Sequence, residues 1–297
     1  MQYACNILAD SVNSQGVRLT TFLLSYPRIV LAEFNTHRMF SRNTSSSRAI
    51  PVAKQIKRIR DDPFTPRAFG QNTKGMQAHN DLDSAIQKRA RQVWHMGLES
   101  ALEAASELEQ LEVHKQLANR VIEPYSWVTQ VVTATDWANF FSLRCSADAQ
   151  PEIQHIALMM RDLYYTSYPE PSSIYQKWRW HLPFIHDDEI DNSGESIEFW
   201  KKVSVGRCAR TSYLNHDGKR DPQADADLAD KLWLNGHLSP FEHVARPFKS
   251  EEYDVISSMQ TGLEEPFSQF ARDCMSRLEY VGNLRGWVSL RSERETN

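Results

Sequence analysis

The chain has 297 residues, of which 41% are hydrophobic and 8 are tryptophans, so it can bury a sizeable core as one domain or two small ones. Its formal net charge of -4 and pI near 6.2 predict no general attraction to nucleic acid or to an anionic membrane. The cysteines are scattered without CxxC or zinc spacing, and no signal-peptide pattern or long apolar run is present. We therefore expect a cytoplasmic protein with reduced thiols.

Periodicity predicts a strand, a helix and a loop in the first 48 residues. Segment 17–24 alternates apolar and polar positions, which is typical of a half-buried strand. Pro27 suits a first helical turn, and Val30, Phe34 and Arg38 are spaced four apart, so a helix that ends near Arg38 is predicted. Residues 43–48 would then form a loop.

Longer elements follow in the rest of the chain. A helix is predicted over 81–112, with an apolar stripe formed by Ile86, Ala90, Val93, Gly97, Ala101, Ala105 and Leu108. Segment 126–135 favours a strand, and Pro151 favours the start of another helix. After a Pro- and Ser-rich stretch at 166–195, a helix through "LADKLWL" is predicted to end at Asn235-Gly236.

The segment "FNTHRMFSRNTSSSR", Phe34 to Arg48, has three arginines, one histidine, two asparagines and four serines. Guanidinium groups and hydroxyls suit phosphate oxygens, because arginine can donate two charge-assisted hydrogen bonds to one anion. A solvated serine-rich loop explains the same composition. Both interpretations stay open at this point.

Two other segments combine polar residues in a way that also fits ordinary helix starts. In "LRCSADAQPEIQ", Arg144 precedes a helix start with Asp148 as the candidate cap. In "NGHLSPFEH", Ser239, Pro240 and Glu242 fit a capping box, while His237 and His243 have no zinc spacing. Glycine-rich phosphate loops and GxSxG are absent, so residue patterns alone indicate an α+β protein with a candidate anion site and no metal.

Taken together, the motifs resemble one family, the flavin-dependent thymidylate synthases. The R-H-R-x-x-S-x-N-x-x-S-x-R signature of that family is similar to Thr36 to Arg48, except that Thr36 replaces the first arginine. Its Asn, Leu-Arg and A-Q-x-E-I pattern resembles Asn139, Leu143-Arg144 and Ala149 to Ile153, and its A-R-x-S-Y and G-H-x-S-P-F-E-H pattern resembles Ala209 to Tyr213 and Gly236 to His243. The last of these precedes the signature in ordinary members, so the order here resembles a circular permutation.

The resemblance implies an α+β fold with a twisted, mainly antiparallel sheet and flanking helices, in a single catalytic domain over 1–297. Residues 1–165 form one half, 166–195 a connecting segment and 196–297 the other half. It further implies a homotetramer with shared active sites that uses FAD, NADPH and methylenetetrahydrofolate to convert dUMP to dTMP. Methylation or hydroxymethylation of dCMP or dUMP, and a non-catalytic nucleotide-binding protein, are the alternatives.

Site residues are carried over from the family position by position. The implied cofactor contacts are His37, Arg38, Asn43, Asn139, Ser212, His237, Ser239, Glu242 and Arg285. The implied nucleotide contacts are Ser41, Ser46, Arg48, Arg144 and Gln150, among which Ser46, Arg48 and Arg144 are the predicted catalytic residues.

Two departures from the family pattern bear on this assignment. Asp148 stands where a histidine is common, and the usual N-x-R-x-W stretch ahead of Asn139 is missing. "GNLRGW" at 282–287 has that pattern, so we expect Asn283, Arg285 and Trp287 to supply the missing contact from the C-terminal region.

Overall fold

The fold is described from a computed structural model that covers residues 2–75, 77–78, 80–172, 180–212, 221–249, 252 and 280–295, with only the backbone of residue 212. The strands are β1 (Ala4–Val12), β2 (Arg18–Pro27), β3 (Ser41–Thr44), β4 (Trp127–Ala134), β5 (Glu170–Pro171), β6 (Ala245–Pro247), β7 (Tyr280–Val281), β8 (Leu284–Arg285) and β9 (Trp287–Ser289). The helices are α1 (Leu31–Asn35), α2 (Val52–Asp61), α3 (Ser84–Gln110), α4 (Lys115–Ala118), α5 (Ala138–Arg144), α6 (Pro151–Thr166), α7 (Asp187–Asp191), α8 (Ile197–Ala209), α9 (Pro222–Leu234) and α10 (Leu290–Glu295).

The main sheet has the strand order β3-β4-β2-β1-β5 and is antiparallel except for the short parallel pair β1 and β5. Alternate residues of the central strands point to opposite faces, as the period of a strand requires. Phe22, Leu24 and Tyr26 of β2 face α5 and α6 in the largest apolar cluster. This architecture confirms the predicted α+β class, with a mainly antiparallel sheet and flanking helices.

The opposite face of the sheet carries a chain of hydrogen bonds between buried polar side chains. Thr21 Oγ1 lies 2.6 Å from Thr133 Oγ1 on the neighbouring strand and 2.7 Å from His181 Nε2. His181 Nδ1 lies 2.9 Å from Ser11 Oγ, and Thr133 Oγ1 lies 2.8 Å from His243 Nδ1. Because His181 belongs to the connecting segment, His243 to the C-terminal half and the other three residues to the sheet, these hydrogen bonds join the sheet to the rest of the chain.

The C-terminal half has its own apolar cluster, which includes Trp200, Val203, Phe241 and Val244. Strands β6 and β9 pair with each other, and the backbones of His181 and Ala245 exchange two hydrogen bonds. Trp287 is fully buried with Leu19 and Ala245, so apolar packing surrounds the polar chain. The halves thus share an interface on the sheet.

A separate helical layer is formed by α2, α3 and α4. Leu98, Leu102 and Ala105 of α3 are buried against residues such as Ile56 of α2 and Ile122. Of the predicted apolar stripe, however, Ile86 and Val93 are exposed, at 49% and 52%. The stripe prediction was therefore right for the second half of α3 and wrong for the first half.

Several predicted element boundaries are corrected by the structure. Pro27 ends β2, and the helix before the signature ends at Asn35 rather than at Arg38. Part of the predicted loop is strand β3, which pairs with β4. Ser239–Glu242 is a single 3-10 turn without a side-chain cap, so the capping box is wrong, as is Asp148 as the cap of α6.

The predicted strand at 126–135 and the predicted helices at 81–112, at Pro151 and through "LADKLWL" are confirmed. Gly236 has a φ of +70°, which explains the glycine that follows α9. Residues 173–179 of the predicted connecting segment lie outside the described residues. Among the described helices, none combines the length and apolar character that a membrane span needs.

The buried histidines predict a loss of stability in acid. The pKa of both His181 and His243 is lowered from 6.5 to about 3, mainly by burial and, for His243, also by the proximity of His181. Folding with a depressed histidine pKa releases protons, so the stabilisation is complete above pH 6.5 and is lost as the pH falls toward about 3. At about pH 5, each histidine should lower the free energy of unfolding by about 2 kcal/mol relative to neutral pH.

Urea unfolding of the wild type and of His243→Asn at about pH 7 and about pH 5 measures this loss. Asparagine can keep the hydrogen bond to Thr133 but does not titrate. We expect the variant to lose about 2 kcal/mol less than the wild type between the two pH values. An equal loss in both proteins would contradict the assignment.

Candidate functional site

The turn from Thr36 to Phe40 is held by aromatic side chains. Phe34 and Phe40 are buried, at 0% and 3% exposed, with ring centroids 5.9 Å apart. Phe40 also packs on Trp137 at 4.6 Å. With both ends of the turn anchored in the core, His37 and Arg38 between them are presented at the surface.

His37 orients Arg144, which reaches it from the end of α5. Arg144 Nε donates a hydrogen bond of 2.9 Å to His37 Nε2. The pKa of His37 is lowered to about 4, chiefly by burial and also by the charges of Arg144 and Arg42. His37 is therefore neutral near pH 7, and its Nε2 lone pair can accept the hydrogen bond. The ring itself is fixed by an edge contact of 4.9 Å with Phe140.

Thr36, which replaces the first arginine of the family signature, contacts the same guanidinium group. Arg144 Nη2 donates to Thr36 Oγ1 at 3.3 Å, and this hydroxyl donates to the Glu33 carbonyl at 2.6 Å. An arginine at position 36 would place a second cation against Arg144. The threonine instead supplies a neutral acceptor that helps to orient it.

Two further arginines of the signature, Arg38 and Arg48, are exposed. Neither makes an ion pair with any residue in the described parts of the chain. Ser46, beside Arg48, is also exposed. Guanidinium groups without protein carboxylates are available to an external anion, so this surface has the chemistry of a phosphate site.

The remaining signature residues serve the fold. Ser41 is 2% exposed at the start of β3, so the structure does not support its predicted direct contact with the nucleotide. Asn43, predicted to contact the cofactor, donates through Nδ2 to the Cys208 carbonyl at 2.7 Å. Asn43 thereby ties β3 to the end of α8. A direct cofactor contact would have to compete with this hydrogen bond.

The second motif supplies Asn139 and Gln150 beside Arg144. Phe140 and Phe141 bury one side of α5, whereas Asn139 is exposed on the other. Gln150 lies at the N-terminus of α6 and donates through Nε2 to Glu152 at 2.9 Å. Both amides remain reachable from solvent. Their predicted ligand contacts stay predictions.

The third motif is brought against the first, although two hundred residues separate them. The turn Ser239–Glu242 packs directly on β3, and His243 bonds to Thr133 of β4. His237 and Ser239 are exposed, while Glu242 accepts a hydrogen bond of 2.6 Å from Arg291. The side chain of Ser212 lies outside the described residues. The structure thus brings both the second and the third motif against the first, Thr36 to Arg48.

Arg285 lies beside the stretch that lacks the family arginine. Its Nη2 is 3.5 Å from Asp136 Oδ1, and its backbone N–H donates to Thr135 Oγ1 at 3.1 Å. Asp136 precedes α5, which carries Asn139 and Arg144. Trp287 is fully buried and donates to the Val17 carbonyl, so its predicted part in a ligand contact is wrong.

A cavity of about 320 Å³ lies between the first and third motifs, with Ser45 and Thr211 in its wall. Its wall also contains the half-buried Arg28, which was not predicted from the sequence. Arg28 Nη2 donates to the Ser45 carbonyl at 2.9 Å and Nη1 lies 3.6 Å from Glu123, while the buried Nε has no partner. The sequence feature that could have indicated Arg28 is a single arginine directly before the apolar run Ile29-Val30-Leu31. In the described parts of the chain, no cluster of three or more metal-ligating side chains occurs.

Comparison with known proteins gives the family. Residues 18–170, just over half of the chain, match the family model described as thymidylate synthase complementing protein, Thy1. The chain belongs to this family. The Thy1 match contains the first two motifs and ends before the third, which the structure places against them. No curated protein sequence matches the chain.

Two solved structures are similar in fold to this Thy1 member. Both are of a UMP/dUMP methylase PolB from Streptomyces cacaoi, one bound with 5-Br UMP and one with 5-Br dUMP. Each is 16% identical with a TM-score of 0.46, covering 55% of this chain and 88% or 90% of the other chain.

Proposed function

We propose that this chain is a flavin-dependent thymidylate synthase. It would transfer the one-carbon unit of methylenetetrahydrofolate to C5 of dUMP and reduce it to the methyl group of dTMP. Reduced FAD would supply the hydride, and NADPH would reduce the flavin. The proposal is supported by membership in the Thy1 family and by the second and third motifs, which both contact the segment Thr36 to Arg48.

The observation that carries the proposal is the support of Arg144 by Thr36 and neutral His37. These acceptors engage Nε and Nη2 and hold the plane of the guanidinium group, and the group keeps further N–H donors for an anion. Arg48, without an ion pair in the described chain, is the second cation. Together they can bind the nucleotide phosphate and orient the pyrimidine, with Ser46 as a further donor.

The residues assigned to the flavin have suitable chemistry. Arg38, His237 and Ser239 are exposed donors, and none makes a side-chain hydrogen bond within the described chain. Arginine suits the diphosphate of FAD, and histidine and serine suit its polar ring edge and ribityl hydroxyls. Asn139 and Arg285 would add contacts from around the start of α5. No cysteine is needed for the chemistry, which agrees with the raised pKa of the half-buried Cys5 thiol.

Thr36 favours keeping a second candidate function. A site that has one cation fewer than the family signature can select another base or another one-carbon product. Methylation or hydroxymethylation of dCMP or dUMP is that candidate, and a non-catalytic nucleotide-binding protein is a third. The homotetramer with shared active sites and the permuted segment order belong to the same proposal.

The deciding experiment identifies the product. The absorption spectrum of the purified protein first shows whether a flavin is bound. The protein is then incubated with methylenetetrahydrofolate, NADPH and either dUMP or dCMP, and the nucleotide product is identified by mass spectrometry. We expect dTMP from dUMP. A methylated or hydroxymethylated product from dCMP would select the second function, and a protein that cannot be reconstituted with FAD would exclude both enzymatic functions.

Arg285→Ala tests the contact supplied from the C-terminal region. Loss of a charge-assisted contact should weaken binding of FAD or dUMP by about tenfold or more. Arg161→Ala is the matched control, because Arg161 is a half-exposed arginine on α6 whose ion pair in the described part of the chain is with the neighbouring Asp162. Affinities measured by isothermal titration calorimetry that are unchanged for both ligands would refute the role of Arg285.

A further inference from the structure

An apolar surface is exposed on the helical layer, away from the sheet. Six of the eleven large hydrophobic side chains that are exposed in the described part of the chain lie on α3 and on the segment that follows it: Ile86, Val93, Met96, Leu111, Leu117 and Val121. On α3 itself, Val93 and Met96 are 52% and 62% exposed. Apolar side chains concentrated on one element indicate a docking surface.

The charges of α3 are divided by sign along its length. Its first twelve residues contain Lys88, Arg89 and Arg91 and no carboxylate, whereas the remaining fifteen contain Glu99, Glu103, Glu107 and Glu109 and no lysine or arginine. Cations at the N-terminus and anions at the C-terminus oppose the helix dipole. This arrangement does not stabilise an isolated helix.

In the described part of the chain, most of these charges have no oppositely charged partner. Among the described residues, Lys88, Arg89, Glu99, Glu103 and Glu107 form no ion pair. Arg89 makes only a hydrogen bond of 3.4 Å to Gln92, one turn along the same helix. A partner that satisfies both ends must present an acidic segment to the first half and a basic segment to the second.

The geometry points to a second copy of this chain as that partner, with the two α3 helices packed antiparallel about a two-fold axis near Met96. Antiparallel pairing sets each basic half against the acidic half of the other copy, and the two dipoles also oppose each other favourably. Counting from Met96, Arg89 and Glu103 are each seven residues away, so Arg89 faces Glu103 of the partner subunit. Val93 and Met96 are covered in the middle.

This interface does not depend on the proposed enzymatic function. It adds a specific surface to the expectation of a homo-oligomer, because a two-fold pairing is one of the contacts from which a symmetric tetramer is built. Small, exposed side chains at Ser100 and Ala104 favour a close approach of the helices.

Sedimentation velocity of the full chain tests the surface. We expect Val93→Asp combined with Met96→Asp to halve the mass of the assembly, with an unchanged circular dichroism spectrum, since both side chains are exposed in the single chain. Leu234→Asp is the matched control, because Leu234 is 83% exposed on α9. A wild-type monomer of 34.3 kDa, or an assembly that keeps its mass in the double variant, would overturn the inference.

Charge reversal tests the pairing. Arg89→Glu and Glu103→Arg should each raise the dissociation constant about tenfold, because the two-fold axis breaks the contact twice. The variant that combines both substitutions should have a dissociation constant close to that of the wild type. If the combined variant dissociates more than either single variant, the antiparallel register is wrong.

A thiol cross-linker distinguishes the antiparallel arrangement from a parallel one. Met96→Cys should cross-link between copies with a short bismaleimide, since both copies of this residue lie at the axis. Ile86→Cys should not, because ten residues of helix separate it from the axis and place its two copies about 30 Å apart. The wild type is the control, because any cross-linking in it comes from the native cysteines. Efficient cross-linking of both variants would contradict the proposal.

Discussion

The chain of hydrogen bonds through His181, Thr21, Thr133 and His243 is the interaction on which the arrangement of the molecule depends. It lies in the interface between the sheet and the C-terminal half, where an unpaired polar group would be costly. Both histidines are neutral because burial depresses their pKa values. Since His243 ends the third motif, the same bonds that join the halves set that motif against β3.

A second neutral histidine organises the charges at the surface. His37 accepts from Arg144, and the pKa of about 4 keeps it uncharged under ordinary conditions. A protonated histidine would repel Arg144 and lose its acceptor. The site therefore concentrates cationic donors while its supporting group stays uncharged, which suits binding of a phosphate. Thr36 fits the same arrangement, because it adds an acceptor where the family signature has another cation.

Elements with a strong period were predictable from the sequence. Helices α3 and α6 bury one face each, whereas strands β2 and β4 are buried on both faces, and the apolar spacing indicated all four elements. Strand β3 was missed because its four polar residues become a strand only by pairing with β4, a contact distant in sequence. Spacing also could not show that Ile86 and Val93 are left uncovered, since periodicity identifies an apolar face but not its partner.

The sequence predicted which residues lie at the candidate site more successfully than it predicted what each of them does there. Arg144, Arg48 and Arg38 lie where an anion can reach them, but Ser41 is buried and Asn43 holds the end of α8. Arg28 was not predicted because its neighbours in sequence are apolar, and its polar environment comes from Ser45 and Glu123. Such roles depend on which backbone carbonyls a fold brings nearby, and motif spacing does not contain that information.

The most direct measurement of the central claim compares the affinities of dUMP and deoxyuridine for the wild type and for Arg48→Gln and Arg144→Gln. If these arginines bind the phosphate, removing it from the ligand should weaken binding to the wild type by on the order of a hundredfold. For each variant, the affinity should fall much less than for the wild type when dUMP is replaced by deoxyuridine. An equal loss in the wild type and both variants would show that the phosphate is bound elsewhere.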